Sequence, residues 1–317
     1  MDEHRRRLQG RYPFSASMQL LRTPDDRFLG LPGFPFDPHY LTIGDGVRVH
    51  HLDEGPRDGP VVLLMHGEPS WCYLYRKMVT PLTGAGLRVV APDLVGFGRS
   101  DKPTKRDDYS YAAHVAWMAE VIEQLELRDI TLVGQDWGGL IGLRLATEHS
   151  ERFSRIVAAN TGLPTGDQDL GEAFATWRRF SQEVPEFPAG SIIGGGCQKE
   201  LSAEVIAAYE APFPTEEHKA GARQFPLLVP ASPDDPAAAA NKRAWGVLAH
   251  WEKPFLCAFS DRDPITAGGD RPFRKLVPGA RDQVHVTIAG AGHFLQEDAP
   301  EELAWVIIEF MKNSSLA

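Results

Sequence analysis

The segment Gly134-Gln135-Asp136-Trp137-Gly138 sets an aspartate between glycines at minus two and plus two. It follows the apolar run Ile130-Thr131-Leu132-Val133 and opens a helical pattern. A sharp strand-to-helix turn needs small neighbours of this kind, because its apex is strained backbone. Serine is the commoner occupant of such an apex. An aspartate is already ionised at neutral pH and needs no base to become nucleophilic. Its attack on saturated carbon makes an ester that water cleaves later, whereas a serine would leave an inert ether. Against the alternative of an aspartate that only caps the next helix stand the strand before it, the helix after it and a partner histidine far downstream.

That partner is His293 in Ala289-Gly290-Ala291-Gly292-His293-Phe294, between the last strand and a final helix from Pro300 to Met311. Among 11 histidines, this one occupies the loop that reaches the elbow, in the chain order nucleophile, acid, histidine. It would deprotonate water for attack on the ester. A carboxylate must fix its tautomer, and Asp261 and Asp263 both stand at the end of the preceding strand. Asp263, ahead of Pro264, lies in the turn proper, and Asp261 reads as a solvated neighbour. Asn160, at the end of Arg155–Ala159, cannot serve as the acid. The loop His66-Gly67-Glu68-Pro69 follows the strand at Val61. The backbone N–H groups of Glu68 and Trp137 are expected to form the oxyanion hole.

These residues need a scaffold, and the chain shows one. Buried-strand runs at Pro60–Met65, Leu87–Ala91, Ile130–Val133, Arg155–Ala159, Pro254–Phe259 and His285–Ile288 alternate with helical patterns such as Tyr111–Leu125 and Gly139–His149. The runs lack polar alternation, as strands covered on both faces do. The fold class is therefore α/β, a doubly wound, mostly parallel sheet. From about Leu163 to Ala249 no strand is evident, and helical pieces occur at Glu172–Gln182 and Ser202–Tyr209. We read residues 163–249 as a helical cap inserted into a core of residues 1–162 and 250–317. The cap would lie over the carboxyl ends of the strands, where ligands bind in open parallel sheets.

These motifs resemble the haloalkane dehalogenases of the α/β-hydrolase superfamily. The resemblance runs from about Leu21 to the final helix. It includes Arg22-Thr23-Pro24-Asp25, His66-Gly67-Glu68-Pro69-Ser70-Trp71, Gly96–Pro103, Gln135-Asp136-Trp137-Gly138 and Ala211-Pro212-Phe213-Pro214. It implies release of halide from small apolar alkyl halides, with water as co-substrate, halide as product and no cofactor or metal. It assigns Asp136, Asp263 and His293 to the catalytic triad and Trp137 to halide binding. The second halide donor carries over to Trp177, in Phe174-Ala175-Thr176-Trp177-Arg178, with Trp245 and Trp251 as rivals. Phe174, Phe225 and Pro226 are expected to line the pocket. An indole N–H suits a departing halide, because it donates a hydrogen bond without holding the product by charge.

The alternative is an epoxide hydrolase with the same triad. Ring opening there relies on two cap tyrosines, and this cap has one, Tyr209. A fluoroacetate-type enzyme would want an arginine where Trp137 stands. A non-enzymatic member of the superfamily would have lost a triad residue. A net charge of −10 argues against nucleic acid as a partner, and no run of apolar residues is long enough to span a membrane. Arg5, Arg6 and Arg7 are not followed by a signal-peptide core. The 3 cysteines suggest neither a disulfide framework nor a zinc site. The expectation is a cytoplasmic protein, monomeric by default.

Overall fold

Short β-branched runs bounded by turn residues form strands, and here most of them assemble into one eight-stranded sheet whose central strands are buried on both faces. The computed structural model describes residues 18–44 and 46–314; Arg5–Arg7 lie outside the described residues. In chain order the strands are β1 (Leu20–Leu21), β2 (His39–Ile43), β3 (Val47–Glu54), β4 (Val61–Met65), β5 (Arg88–Pro92), β6 (Lys102–Pro103), β7 (Ile130–Gln135), β8 (Phe153–Ala159), β9 (Phe255–Ser260) and β10 (Val286–Ile288). The helices of the first half are α1 (Arg76–Gly84), α2 (Tyr111–Gln124) and α3 (Trp137–Glu148). Between β8 and β9 come α4 (Gly171–Glu183), α5 (Ala189–Gly196), α6 (Ala203–Glu210), α7 (Ala220–Leu228) and α8 (Ala238–Leu248). Helices α9 (Asp270–Leu276), α10 (Leu295–Asp298) and α11 (Pro300–Asn313) complete the chain.

The main sheet has the order β10-β9-β8-β7-β4-β5-β3-β2. Neighbours from β10 to β5 are parallel, while β3 runs antiparallel to β5 and to β2. The six expected strands are all present. The β2–β3 hairpin and the short β1–β6 pair are additional to them. Strands β4 and β7 are buried along their whole length, which suits their place in the middle of the sheet.

Helix α3 shows how tightly the centre is packed, for every residue from Trp137 to Thr147 is buried. Its first turn lies so close to β4 that a Cβ on Gly138 would stand 2.0 Å from the Met65 carbonyl oxygen. Only glycine fits there. The helix that follows the Asp136 turn is thereby seated on the central strands.

Among the described residues no strand lies between Asn160 and Pro254, so α4 to α8 form a purely helical insertion. It is tied to the core by buried polar contacts. Tyr209 donates its hydroxyl to Glu297, which also accepts from Arg76 and from Lys77. Asp298 accepts the backbone N–H groups of Gln198 and Lys199 at the end of α5 and that of Gly292 in the loop before α10. No helix of the described residues is long and apolar enough to cross a membrane.

Candidate active site

The turn after β7 holds Asp136 at φ 50° and ψ −126°, a conformation that L residues adopt at a cost of roughly 1–3 kcal/mol and that occurs mainly at functional sites. The surroundings enforce it. Asp136 N–H donates to the Asn160 carbonyl at 3.0 Å, and Thr161 Oγ1 donates to the Asp136 carbonyl at 2.7 Å. The side chain is thus pushed out over the carboxyl ends of the strands.

The loop after β4 approaches from one side. His66, fully buried, accepts the Leu94 N–H on Nε2 at 2.9 Å and donates from Nδ1 to the Gly67 carbonyl. This fixes one neutral tautomer, and burial pushes its pKa down, in keeping with it. The loop so held places Glu68 N–H 2.8 Å from Asp136 Oδ1. A Cβ on Gly67 would fall 2.4 Å from that same oxygen, so the approach requires glycine. Trp137 N–H, at the first position of α3, is the other expected oxyanion donor, and no hydrogen bond to it occurs among the described residues.

His293 approaches from the other side. Its Nε2 lies 3.5 Å from Asp136 Oδ2 and its Nδ1 lies 2.9 Å from Asp263 Oδ2. Asp263 also accepts the Ile265 N–H at 2.9 Å and the Thr266 hydroxyl. Burial opposes ionisation of Asp263, but the His293 charge and these donors outweigh it and hold the carboxyl below its usual range. Burial would likewise discharge His293, yet the carboxylates of Asp263 and Asp136 raise it to about 10. Asp261 accepts the Gly290 N–H at 2.7 Å and has no contact with the histidine. Of the two candidate acids, only Asp263 meets His293.

Three further residues hold this arrangement, and sequence reasoning missed their roles. Asn160, at φ 39°, donates through Nδ2 to the carbonyls of Gly292 and His293 and to Ser260 Oγ. Gln135 donates to the His293 carbonyl at 3.1 Å. Asp298 holds Gly292, while His293 N–H reaches the Gly196 carbonyl at the end of α5 at 2.8 Å.

A cavity of about 1000 Å³ opens over Asp136 and His293. Asp136, His293, Glu68, Trp137, Phe174, Trp177 and Pro226 all line it. Residues 60–194 match the alpha/beta hydrolase fold family. The chain is 59% identical over 94% of its length to a haloalkane dehalogenase from Psychrobacter cryohalolentis, covering 99% of that protein. It is 52% identical over 93% of its length to one from Mycolicibacterium paratuberculosis, covering 99% of it.

The chain belongs to the haloalkane dehalogenase family.

A solved structure agrees. The tetrameric haloalkane dehalogenase DpaA from Paraglaciecola agarilytica NO2 superposes with a TM-score of 0.85 at 34% identity, over 95% of this chain and 99% of that one. The protein is accordingly a hydrolase of carbon–halide bonds. Within the dehalogenase, the tryptophans separate by what their N–H groups do. Trp137 and Trp177 line the cavity, and their indoles make no hydrogen bond among the described residues. Trp245 lines it too, but its N–H donates to the Leu163 carbonyl at 2.7 Å. Trp251 is buried outside the cavity lining.

One pocket expectation needs correction. Phe225 does not line the cavity; it is fully buried and meets the Trp137 ring edge-on at 4.5 Å between centroids. Its bulk, together with Tyr111 at 5.0 Å, supports the indole from behind, which is packing rather than substrate contact. Tyr209 also lies outside the cavity, with its hydroxyl committed to Glu297. Placed there it is not positioned to protonate an epoxide oxygen beside Asp136, so the epoxide hydrolase alternative loses its acid.

Proposed function

We propose that Asp136 displaces halide from the alkyl carbon and that His293 then directs water onto the ester so formed. The observation that carries this is the division of labour around one carboxylate. Glu68 N–H holds Oδ1, which leaves Oδ2, on the His293 side, to attack. As the C–Oδ2 bond forms, the C–X electron pair departs with the halide towards the indole N–H groups of Trp137 and Trp177. Alkylation also removes the Asp136 charge that supports the His293 proton. The imidazole pKa then falls and the ring becomes a base. It takes a proton from water, whose oxygen adds to the ester carbonyl while Oδ1 becomes the oxyanion, held by Glu68 N–H and Trp137 N–H. Collapse releases the alcohol, and one proton goes to solvent.

Apolar cavity walls suit small alkyl halides, and the helical insertion, taken as a cap of residues 163–249, would shield the ester from bulk water. The unpaired cysteines Cys72, Cys197 and Cys257 fit a reducing cytoplasm. Replacing His293 by glutamine provides the test. One equivalent of bromide from 1-bromobutane should be released, and Asp136 should retain a butyl ester visible by intact mass. Multiple turnovers, or free enzyme after bromide release, would remove His293 from its role.

A further inference from the structure

One group in the chamber is left over by this chemistry. Glu68 contributes its backbone N–H, yet its side chain is also inside: the residue is 5% exposed and lines the cavity. Its Oε1 is sealed from solvent with no hydrogen-bond partner. No arginine, lysine or hydroxyl answers the carboxyl among the described residues. A carboxylate so placed would be an unpaired buried charge within reach of the Asp136 charge, an arrangement that normally resolves by keeping a proton. Two titratable groups act on it, Asp136 at the end of β7 and His293 in the loop after β10. The other histidine of the same loop, His66, is held neutral by its backbone contacts.

We propose that Glu68 serves as an uncharged carboxylic acid, and that its proton is required for the chamber to accept and stabilise halide. The inference rests on the mechanism above, since it concerns the anion which that mechanism creates. Halide formation moves a negative charge from Asp136 to the leaving group within the same apolar enclosure. A neutral Glu68 permits that movement, and its O–H adds a donor to the chamber. An ionised Glu68 would repel the halide and compete with it for the His293 charge. Burial first, and then the Asp136 charge, push its pKa well above the usual carboxylate range, while His293 pulls the other way. Glu68 is therefore a halide-binding residue, and halide binding weakens as pH rises through its raised pKa.

Bromide affinity is the direct readout, followed by tryptophan fluorescence quenching across pH in the wild type and in Glu68→Gln. Linkage requires the wild-type affinity to fall about tenfold per pH unit once Glu68 ionises. His293, raised to about 10, weakens anion binding as well when it loses its proton. The glutamine variant keeps His293 and cannot titrate at 68, so its fall should begin at higher pH than that of the wild type. Superimposable curves would overturn the proposal. Bromoalkane turnover supplies the second arm. Glu68→Leu should lose at least about tenfold in kcat/KM, a single lost hydrogen bond to a charged species, and Glu68→Gln should restore most of it. Glutamine as poor as leucine in a folded protein would mean that the negative charge itself is used, and would equally overturn it. Should Glu68→Leu not fold, the quenching curves of the glutamine variant decide alone. Wild-type enzyme that binds bromide but never forms the ester would sink the mechanism and leave the halide proposal standing.

Discussion

The Asp136 carboxylate, the proposed nucleophile, meets a different neighbour at each oxygen, Glu68 N–H at 2.8 Å from Oδ1 and His293 Nε2 at 3.5 Å from Oδ2, so single-atom changes have distinct expected effects. Asp263→Asn preserves shape but offers Nδ1 of His293 an amide in place of a carboxylate, and the imidazole can then adopt the wrong tautomer. A loss of about 10⁴ in kcat is expected, the cost of the same change in other nucleophile–histidine–acid triads. Pre-steady-state bromide release should keep its burst, because alkylation does not need the base. The tryptophans give a paired test. Trp177→Phe removes an N–H free to meet halide, and should weaken bromide quenching by about 10- to 100-fold, as for a lost hydrogen bond of roughly 1.5–3 kcal/mol to a charged partner. Trp245→Phe removes an N–H already bonded to the Leu163 carbonyl and should change quenching far less. Equal effects from the two variants would move the halide away from Trp177.

Elements place these atoms, and their legibility in the sequence follows from how each is stabilised. Strands β4, β5, β7, β8 and β9 are visible as apolar runs because helices cover both of their faces. The β2–β3 hairpin lacks that mark. Its edge strand is mostly half-buried, and β3 buries His50, His51 and Asp53, polar residues that hydropathy places outside. His50 is inside because its Nδ1 pairs with Asp93 at 2.7 Å. Gly44-Asp45-Gly46 was the available turn signal. In the insertion, α4 and α6 show ordinary helical patterns, but α5 ends in three glycines and α7 contains Pro226. Tertiary packing overrides weak propensity there. The meeting of Asp136, His293 and Asp263 was legible because the chemistry expected of them restricts their residue types and loop positions. Phe225 was misjudged because an apolar side chain looks the same in a core and in a pocket. Asn160 was recognised only as unfit to be the acid, although its amide joins the ends of β8 and β9 to the histidine loop. Asn160→Ala leaves the carbonyls of Gly292 and His293 short of a donor. It should lower stability by about 1–3 kcal/mol and reduce kcat while bromide affinity holds. A variant with lower thermal stability and unchanged kcat would show that Gln135 and Asp298 suffice to hold the loop.

At the scale of the whole molecule, the site is an enclosure made by two parts of the chain, joined both at the histidine loop, where His293 N–H meets the Gly196 carbonyl, and further from Asp136 at Glu297. Glu297, buried at the core end of the junction, gathers Arg76 and Lys77 from α1 and the Tyr209 hydroxyl from α6. Burial opposes its ionisation, but these donors outweigh it and keep the carboxyl below its usual range. The Tyr209 ring packs edge-on against Tyr73 at 5.1 Å, so its contribution divides into an apolar part and one hydrogen bond. Tyr209→Phe removes only the bond. The charged acceptor retains its two cationic partners, so a cost of about 1–2 kcal/mol is expected, or a few degrees in Tm for a chain of this size. Bromide release should continue with kcat within about threefold of wild type, because no proton from Tyr209 enters the displacement. Styrene oxide supplies the contrasting measurement. An enzyme that opened epoxides through Tyr209 would lose that activity with the hydroxyl while its Tm stayed close to that of the wild type. A lower Tm with bromide release preserved is the signature of a tyrosine that fastens the insertion to the core.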